Sequence, residues 1–237
     1  MESNTSKPTK LTPRPLFGGA MSILIPSQWR DVSEIRQVPD NQEVFQDCIF
    51  ADGSIVHSEL GIQGSGGCVV IEILEREDGL NDDNAAEFFF KDLAEANGSI
   101  DEASTNAENK ASDYSVDYTA SWNVGNDAKN MHMDGEIIND EDSNIMPQLS
   151  VRTKAFTCIG HQHVSPLRNR KTLEEGKSAY IKVELCVLRL EQVHTDLLIS
   201  LSLPSHQDKD SRMEYIHNTL FLEILRSFQV LDWSLFG

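Results

Sequence analysis

The chain has 237 residues, 39% of them hydrophobic, so it is long enough and apolar enough to fold around a core of its own. Its 38 acidic and 20 basic side chains give a formal net charge of −18, which would repel a phosphate backbone and argues against nucleic acid as a partner. No apolar run approaches the length that spans a bilayer, so we expect no membrane partner either. The negative charge instead favours a partner protein with a basic surface.

The first fifteen residues are polar and interrupted by prolines, and they lack the apolar core of a secretory signal. We therefore predict a disordered leader over residues 1–15 and a single folded domain over residues 16–237. The four cysteines are far apart in the chain and lie in mainly apolar or strand-like stretches, which favours reduced and buried thiols. Both observations predict a protein of the cytosol or nucleus.

Three strands are predicted in the N-terminal part of the chain. An apolar run over residues 17–25 ends at Pro26, whose missing N–H would interrupt a ladder of hydrogen bonds. Residues 43–50 form a strand-like run that alternates roughly between faces, and β-branched and other apolar residues dominate 68–74. The glycine-rich stretch 61–67 is followed by that strand and not by a helix N-terminus, so we predict a turn rather than a phosphate-binding loop.

A helix is predicted next, and an acidic loop follows it. Asn84 and Glu87 have the spacing of a capping box, and apolar residues then recur at helical spacing until Gly98. Residues 101–147 are mostly polar and acidic, and only residues 114–122 alternate like a strand. We predict an acidic loop insertion over residues 101–147, a solvated segment without the spaced oxygen ligands of a calcium-binding EF-hand.

The C-terminal part of the chain predicts three strands and a last helix. The strands cover residues 149–163, 178–191 and 196–203, and their connections are too short to carry crossover helices. We therefore expect them to pair antiparallel. The last helix covers residues 211–228, from a second capping box to the end of an apolar stripe.

Two further features complete the predicted fold. Residues 185–188 are apolar on both faces, which is typical of a central strand covered by helices on each side. Residues 231–236 form a tail with aromatic side chains that can pack on the sheet. Together the elements predict the α+β class, with a mostly antiparallel β-sheet sandwiched between α-helices in a single domain.

Little in the sequence indicates an enzyme, because no nucleophile elbow, Walker loop or dinucleotide-binding fingerprint is present. His161 and His163 share one face of a predicted strand close to Cys158, but two ligands do not make a metal site. We therefore predict no metal and no cofactor. A hydrolase using Cys158 or a histidine is the alternative, and loss of turnover in a Cys158→Ala variant would identify it.

A dense polar cluster lies between the first two predicted strands. Pro39 is followed in a row by Asp40, Asn41, Gln42 and Glu43. A rigid loop that holds two carboxylates and two amides suits charge-assisted contacts with lysines or arginines of a partner. A turn in which Asp40 or Asn41 caps the local backbone explains the same residues without a partner. The residues alone leave both interpretations open.

Five stretches of the chain resemble the Ran guanine-nucleotide release factor family, the Mog-one type of nuclear-import factor with a PsbP-like fold. The segment Arg-Gln-Val-Pro-Asp-Asn-Gln-Glu-Val is a fairly specific motif in that setting. The family fold, an antiparallel sheet between helices, agrees with the elements predicted above. The five stretches are residues 16–20, 36–44, 89–98, 196–204 and 228–236.

This resemblance implies that the protein binds the small GTPase Ran, promotes release of its guanine nucleotide, GTP above all, and supports nuclear protein import. It would act as a non-catalytic regulator in the nucleus and cytoplasm, with other Ran-binding transport factors as further candidate partners. The leader and residues 101–147 depart from the family pattern. The alternative is a PsbP-like small-ligand-binding domain with no GTPase partner. The partner-binding residues implied by the matching motif and its flank are Asp31, Arg36, Pro39, Asp40, Asn41, Gln42 and Glu43.

Overall fold

The computed structural model describes residues 10–47, 67–97, 99, 114–125, 144–164, 179–205 and 219–237. Neither of the two helices in these ranges is long and apolar enough to cross a membrane. The strands and helices in these ranges are, in chain order, β1 (Leu11–Leu16), β2 (Met21–Pro26), β3 (Arg30–Asp31), β4 (Gln42–Gln46), β5 (Cys68–Glu75), α1 (Ala85–Ala96), β6 (Tyr114–Val124), β7 (Thr153–Val164), β8 (Ala179–Leu190), β9 (Thr195–Ser205), α2 (Thr219–Ser227) and β10 (Gln229–Val230).

The main sheet has seven strands in the order β3-β4-β5-β9-β8-β7-β6, and every neighbouring pair is antiparallel. The three predicted C-terminal strands are confirmed as β7, β8 and β9, with β8 between the other two. The predicted strand at residues 114–122 is also confirmed, as β6 at one edge. A smaller sheet contains β1, β2 and β10.

The main sheet is covered on both faces, as the apolar run at residues 185–188 predicts. Leu185 and Val187 belong to the buried cluster that contains the α1 side chains Phe89 and Phe90. The intervening residues of β8 belong to a second cluster on the opposite face, which contains side chains of α2 and of the small sheet. Because alternate residues of a strand face opposite sides, one continuous apolar run serves two cores. Full burial of each large apolar side chain contributes about 1.5–3 kcal/mol.

The predicted disordered leader is wrong at its C-terminal end, because β1 pairs along its whole length with β2. The Lys10 carbonyl, which directly precedes β1, accepts a hydrogen bond from the Ser27 amide at 2.8 Å. Since the bonding groups of a strand alternate, Pro13 and Pro15 direct their missing N–H positions away from β2. A polar, proline-containing segment can therefore form an edge strand once a partner strand supplies hydrogen bonds. Residues 1–9 lie outside the described residues.

The start of α1 also differs from the prediction. Asn84 makes no side-chain capping bond, because its own backbone is already helical (φ −98°, ψ −3°). The cap lies one turn earlier, where the Asn81 side chain accepts a hydrogen bond from the Asp83 amide at 3.1 Å. This opens a 3-10 turn, Asp82–Asn84, that continues into α1.

Several predicted segments fall outside the described residues. The limits of the predicted domain stay predictions. The segments concerned are the end of the second strand with most of the glycine-rich turn (48–66), most of the acidic insertion (100–113 and 126–143) and the beginning of the last helix (206–218).

Candidate functional site

The polar cluster forms a loop at the edge of the main sheet, between β3 and β4, and we call residues 32–41 the 32–41 loop. It begins with a 3-10 turn, Val32–Glu34, which the Asp31 carboxylate caps by accepting a hydrogen bond from the Ser33 amide at 2.8 Å. Val32 is buried and anchors the turn, whereas most of the following side chains are exposed. The loop is thus attached to the domain at its start and presents its other side chains to solvent.

The loop ends in a tight turn that displays Asp40. The Gln42 amide donates a hydrogen bond to the Pro39 carbonyl at 2.9 Å, so Asp40 and Asn41 are the two central residues of the turn. Asp40 is exposed, and its carboxylate has no hydrogen-bond or ion-pair partner within the described part of the chain. The same holds for the exposed guanidinium of Arg36. Both charged side chains are therefore exposed on the surface of the described part of the chain.

The two amide side chains of the cluster are engaged by the neighbouring strand. The Gln42 side chain donates to Glu72 Oε1 on β5 at 2.7 Å, and that of Asn41 donates to the same oxygen at 3.4 Å and to the Ile73 carbonyl at 3.1 Å. Asn41 also accepts, through its backbone carbonyl, the Ile73 amide at 2.9 Å. These bonds fix the turn against β5. The two amide side chains therefore hold Asp40 in place, and both remain at least partly exposed to solvent.

Glu43 connects the cluster to the glycine-containing turn at residues 17–19. Its Oε1 accepts a hydrogen bond from the Phe17 amide at 2.6 Å. Phe17 has φ +49°, a conformation that is uncommon for residues other than glycine, and Gly18 and Gly19 follow with φ +68° and +94°. Two stretches that resemble the same family, and that are separated in sequence, therefore meet at this hydrogen bond.

The electrostatic environment of Glu43 differs from that of Asp40. Partial burial raises the pKa of the Glu43 carboxyl, the hydrogen bond from Phe17 lowers it, and the nearby Asp31 carboxylate raises it further. The net shift of the pKa is upward, since desolvation disfavours the charged form. Glu43 thus combines a structural role with a place in an acidic surface.

Sequence reasoning missed Ile35, whose residue surface is 62% exposed in the middle of this polar loop. The 3-10 turn places it there, since its amide and that of Arg36 both bond to the Val32 carbonyl, at 2.9 and 3.0 Å. The only signal in the sequence is an isolated large apolar residue between Glu34 and Arg36.

The structure provides little support for a hydrolase. Cys158 is fully buried, and burial, aided by the charges of Glu87 and Asp117, raises the pKa of its thiol to about 12. A thiol that stays protonated at neutral pH is a poor nucleophile. His161 Nδ1 lies 2.6 Å from Asp117 Oδ2, and within the described ranges no group of three or more potential ligands could hold a metal ion. The side chain of His163 lies outside the described residues.

A family model described as "Ran-interacting Mog1 protein" matches residues 14–204. The chain belongs to the Mog1 family. It is 31% identical over 235 residues to a Ran guanine nucleotide release factor of Danio rerio, which covers 94% of this chain and 99% of the relative. It is 23% identical over 236 residues to the nuclear import protein MOG1 of Saccharomyces cerevisiae, with 94% of this chain and 83% of the relative covered.

Solved structures of Mog1 proteins have the same fold. The crystal structure of the Saccharomyces cerevisiae Ran-binding protein Mog1p superposes with a TM-score of 0.57 at 21% identity, covering 97% of this chain and 100% of that one. A Mog1 variant with a glutamate-to-alanine substitution superposes with a TM-score of 0.55 at 20% identity, covering 96% and 100%. The Mog1 family match includes the whole 32–41 loop and leaves α2 and the C-terminal tail outside it.

Proposed function

We infer that this Mog1 family member binds the small GTPase Ran and promotes release of its guanine nucleotide, in support of nuclear protein import. Membership of a Ran-interacting family and the names of its relatives support this function. The structural observation that carries it is the exposed carboxylate of Asp40, held at the tip of a fixed turn inside the matched region.

The contact surface proposed for Ran is the 32–41 loop with its two flanks. Asp40 and Arg36 supply charges that face solvent, and carboxylates form charge-assisted hydrogen bonds with the lysines or arginines of a partner. Pro39, Asn41 and Gln42 keep Asp40 in position. The remaining members of the surface are the flanking carboxylates Asp31 and Glu43.

Nucleotide release requires no reaction catalysed by this protein. If it binds nucleotide-free Ran more tightly than nucleotide-loaded Ran, the affinity of Ran for nucleotide falls by the same factor. We therefore propose a non-catalytic regulator that acts by binding alone. It would work in the nucleus and cytoplasm, where other Ran-binding transport factors are candidate partners.

A nucleotide-release assay tests the function and the site together. Ran is loaded with a fluorescent GTP analogue, the protein is added in excess, and loss of fluorescence is followed for the wild type and for Asp40→Lys. We expect rapid release with the wild type and slow release with the variant, because charge reversal at an exposed side chain removes the contact without disturbing the core. Glu43→Lys is a second variant, although it also breaks the bond to Phe17.

Asp92→Lys is the matched control, since Asp92 is an exposed carboxylate on α1, on the opposite face of the main sheet. It should release nucleotide as the wild type does. Equal activity of wild type and Asp40→Lys would remove the 32–41 loop from the site. No binding and no release with the wild type would reject the proposed function and favour a small-ligand-binding domain.

A further inference from the structure

The C-terminal tail exposes two large apolar side chains and bonds to the glycine-containing turn that contacts the candidate site. Among the described residues, five large hydrophobic side chains are exposed, and Leu231 at 61% and Leu235 at 37% are two of them. We call residues 231–236 the C-terminal turn. The C-terminal turn lies outside residues 14–204, the region matched by the family model.

The C-terminal turn has a defined structure. The Asp232 carboxylate caps it by accepting the Ser234 amide at 2.9 Å. Trp233 and Phe236 turn inwards, pack against the large core with ring centroids 5.6 Å apart, and are partly buried. The Trp233 indole N–H also donates to the Ser150 hydroxyl at 3.1 Å. With its aromatic residues anchored, the turn leaves its leucines on the outside.

Hydrogen bonds make this turn continuous with the candidate site. The amides of Leu231 and Asp232 both donate to the Ala20 carbonyl, at 2.8 and 3.0 Å. Ala20 ends the glycine-containing turn whose Phe17 amide bonds to Glu43. Two short links therefore join the C-terminal turn to Glu43, which flanks the 32–41 loop.

We propose that the C-terminal turn is an apolar contact surface for Ran, connected through residues 17–20 to Glu43 at the flank of the 32–41 loop. This inference rests on the proposed function. Charged contacts mainly speed association and set specificity, whereas removal of apolar side chains from water lowers the dissociation rate. Exposed leucines next to a charged surface fit the common arrangement of an interface, with a few apolar anchors among polar groups.

A second copy of this chain is a less suitable occupant than Ran. Each copy has a net charge of −18, and the C-terminal turn carries Asp232 and is linked through residues 17–20 to the Glu43 carboxylate. Two such surfaces would repel each other, whereas a basic partner surface would be attracted.

The test measures the affinity and dissociation rate of the Ran complex for wild type and for Leu231→Ser/Leu235→Ser. We expect Kd to rise about tenfold and dissociation to accelerate, since loss of buried apolar anchors acts mainly on the dissociation rate. Phe88→Ser is the matched control, because Phe88 is 45% exposed on α1, on the far side of the main sheet, and should bind Ran as the wild type does.

The outcomes separate this inference from the proposed function. Failure of the wild type to bind Ran overturns both. Ran binding that is equal in wild type and double variant overturns the role of the C-terminal turn alone. Sedimentation that shows a wild-type dimer, lost in the variant with Ran affinity unchanged, would assign the turn to self-association instead. If the double variant unfolds at a lower temperature than the wild type, the measurement is repeated with Leu231→Ser alone, which changes the more exposed leucine.

Discussion

At the scale of single residues, Asp40 and Glu43 show how position decides the role of a carboxylate. Both are acidic, and only two residues separate them in one polar run. Asp40 occupies the tip of a turn and faces solvent, while Glu43 accepts the Phe17 amide and is partly buried. We therefore expect Asp40 to act mainly on Ran binding, and Glu43 to act on both binding and the local structure.

The raised pKa of Glu43 predicts how its contribution to stability depends on pH. A carboxyl with a higher pKa in the folded state stabilises the fold below its unfolded pKa, about 4.5, and that contribution is lost as pH rises through the folded pKa. Glu43→Gln keeps an acceptor for the Phe17 amide but does not titrate. We expect urea unfolding to show wild type losing stability relative to Glu43→Gln as pH rises from about 4 to 7. A stability difference that stays constant over this range would contradict the assignment.

At the scale of elements, the pairing of β4 with β5 determines how the candidate site is presented. Glu72 lies on β5 and accepts the side-chain amides of Asn41 and Gln42. The turn that displays Asp40 is therefore fixed by a residue outside the 32–41 loop. Each such hydrogen bond contributes about 1 kcal/mol, enough to restrict a turn without controlling global stability.

This arrangement makes Glu72 a positioning residue. We expect Glu72→Ala to slow Ran nucleotide release several-fold, because the turn loses its fixed orientation, while the unfolding temperature changes little. Glu72→Gln should restore release, since its amide oxygen is still an acceptor. Glu75→Ala, which changes an exposed carboxylate on the same strand, is the control for loss of charge. If Glu72→Gln is as slow as Glu72→Ala, the charge of Glu72 matters rather than its hydrogen bonds.

At the scale of the whole molecule, the two-sided sheet separates function from packing. One face of the main sheet packs against α1, and the other packs against α2 and the small sheet, so the side chains of the central strands are buried on both faces. The 32–41 loop lies at an edge of the main sheet, and the glycine-containing turn bonds to Glu43 beside it and to the C-terminal turn. Edge positions leave side chains free to contact a partner.

The net charge of −18 predicts a strong effect of salt on association with Ran. Charges of opposite sign accelerate encounter at low ionic strength, and the screening length falls from about 10 Å at 0.1 M to about 3 Å at 1 M. We expect stopped-flow association rates to fall about tenfold or more over this range for the wild type, and less for Asp40→Lys. An association rate that does not respond to salt would show that the acidic surface does not guide the encounter.

Much of the fold follows from local patterns in the sequence. The three C-terminal strands, their antiparallel pairing, the two-faced burial of β8 and the existence of α1 and α2 depend on residues close together in the chain. The polar cluster and its family resemblance are also visible there. The errors lie at boundaries, such as β1 and the cap of α1, where backbone geometry or a distant partner strand outweighs local propensity.

By itself, the sequence determined the class of fold and the family and predicted where the candidate site lies, because periodicity, charge and motifs act over a few neighbouring residues. Only the tertiary structure decided what surrounds that site. The bond from Phe17 to Glu43 spans 26 positions, and the bonds from the C-terminal turn to Ala20 connect opposite ends of the chain. Such contacts arise when separate elements bury their apolar faces together, and no local pattern specifies which turns that packing brings side by side.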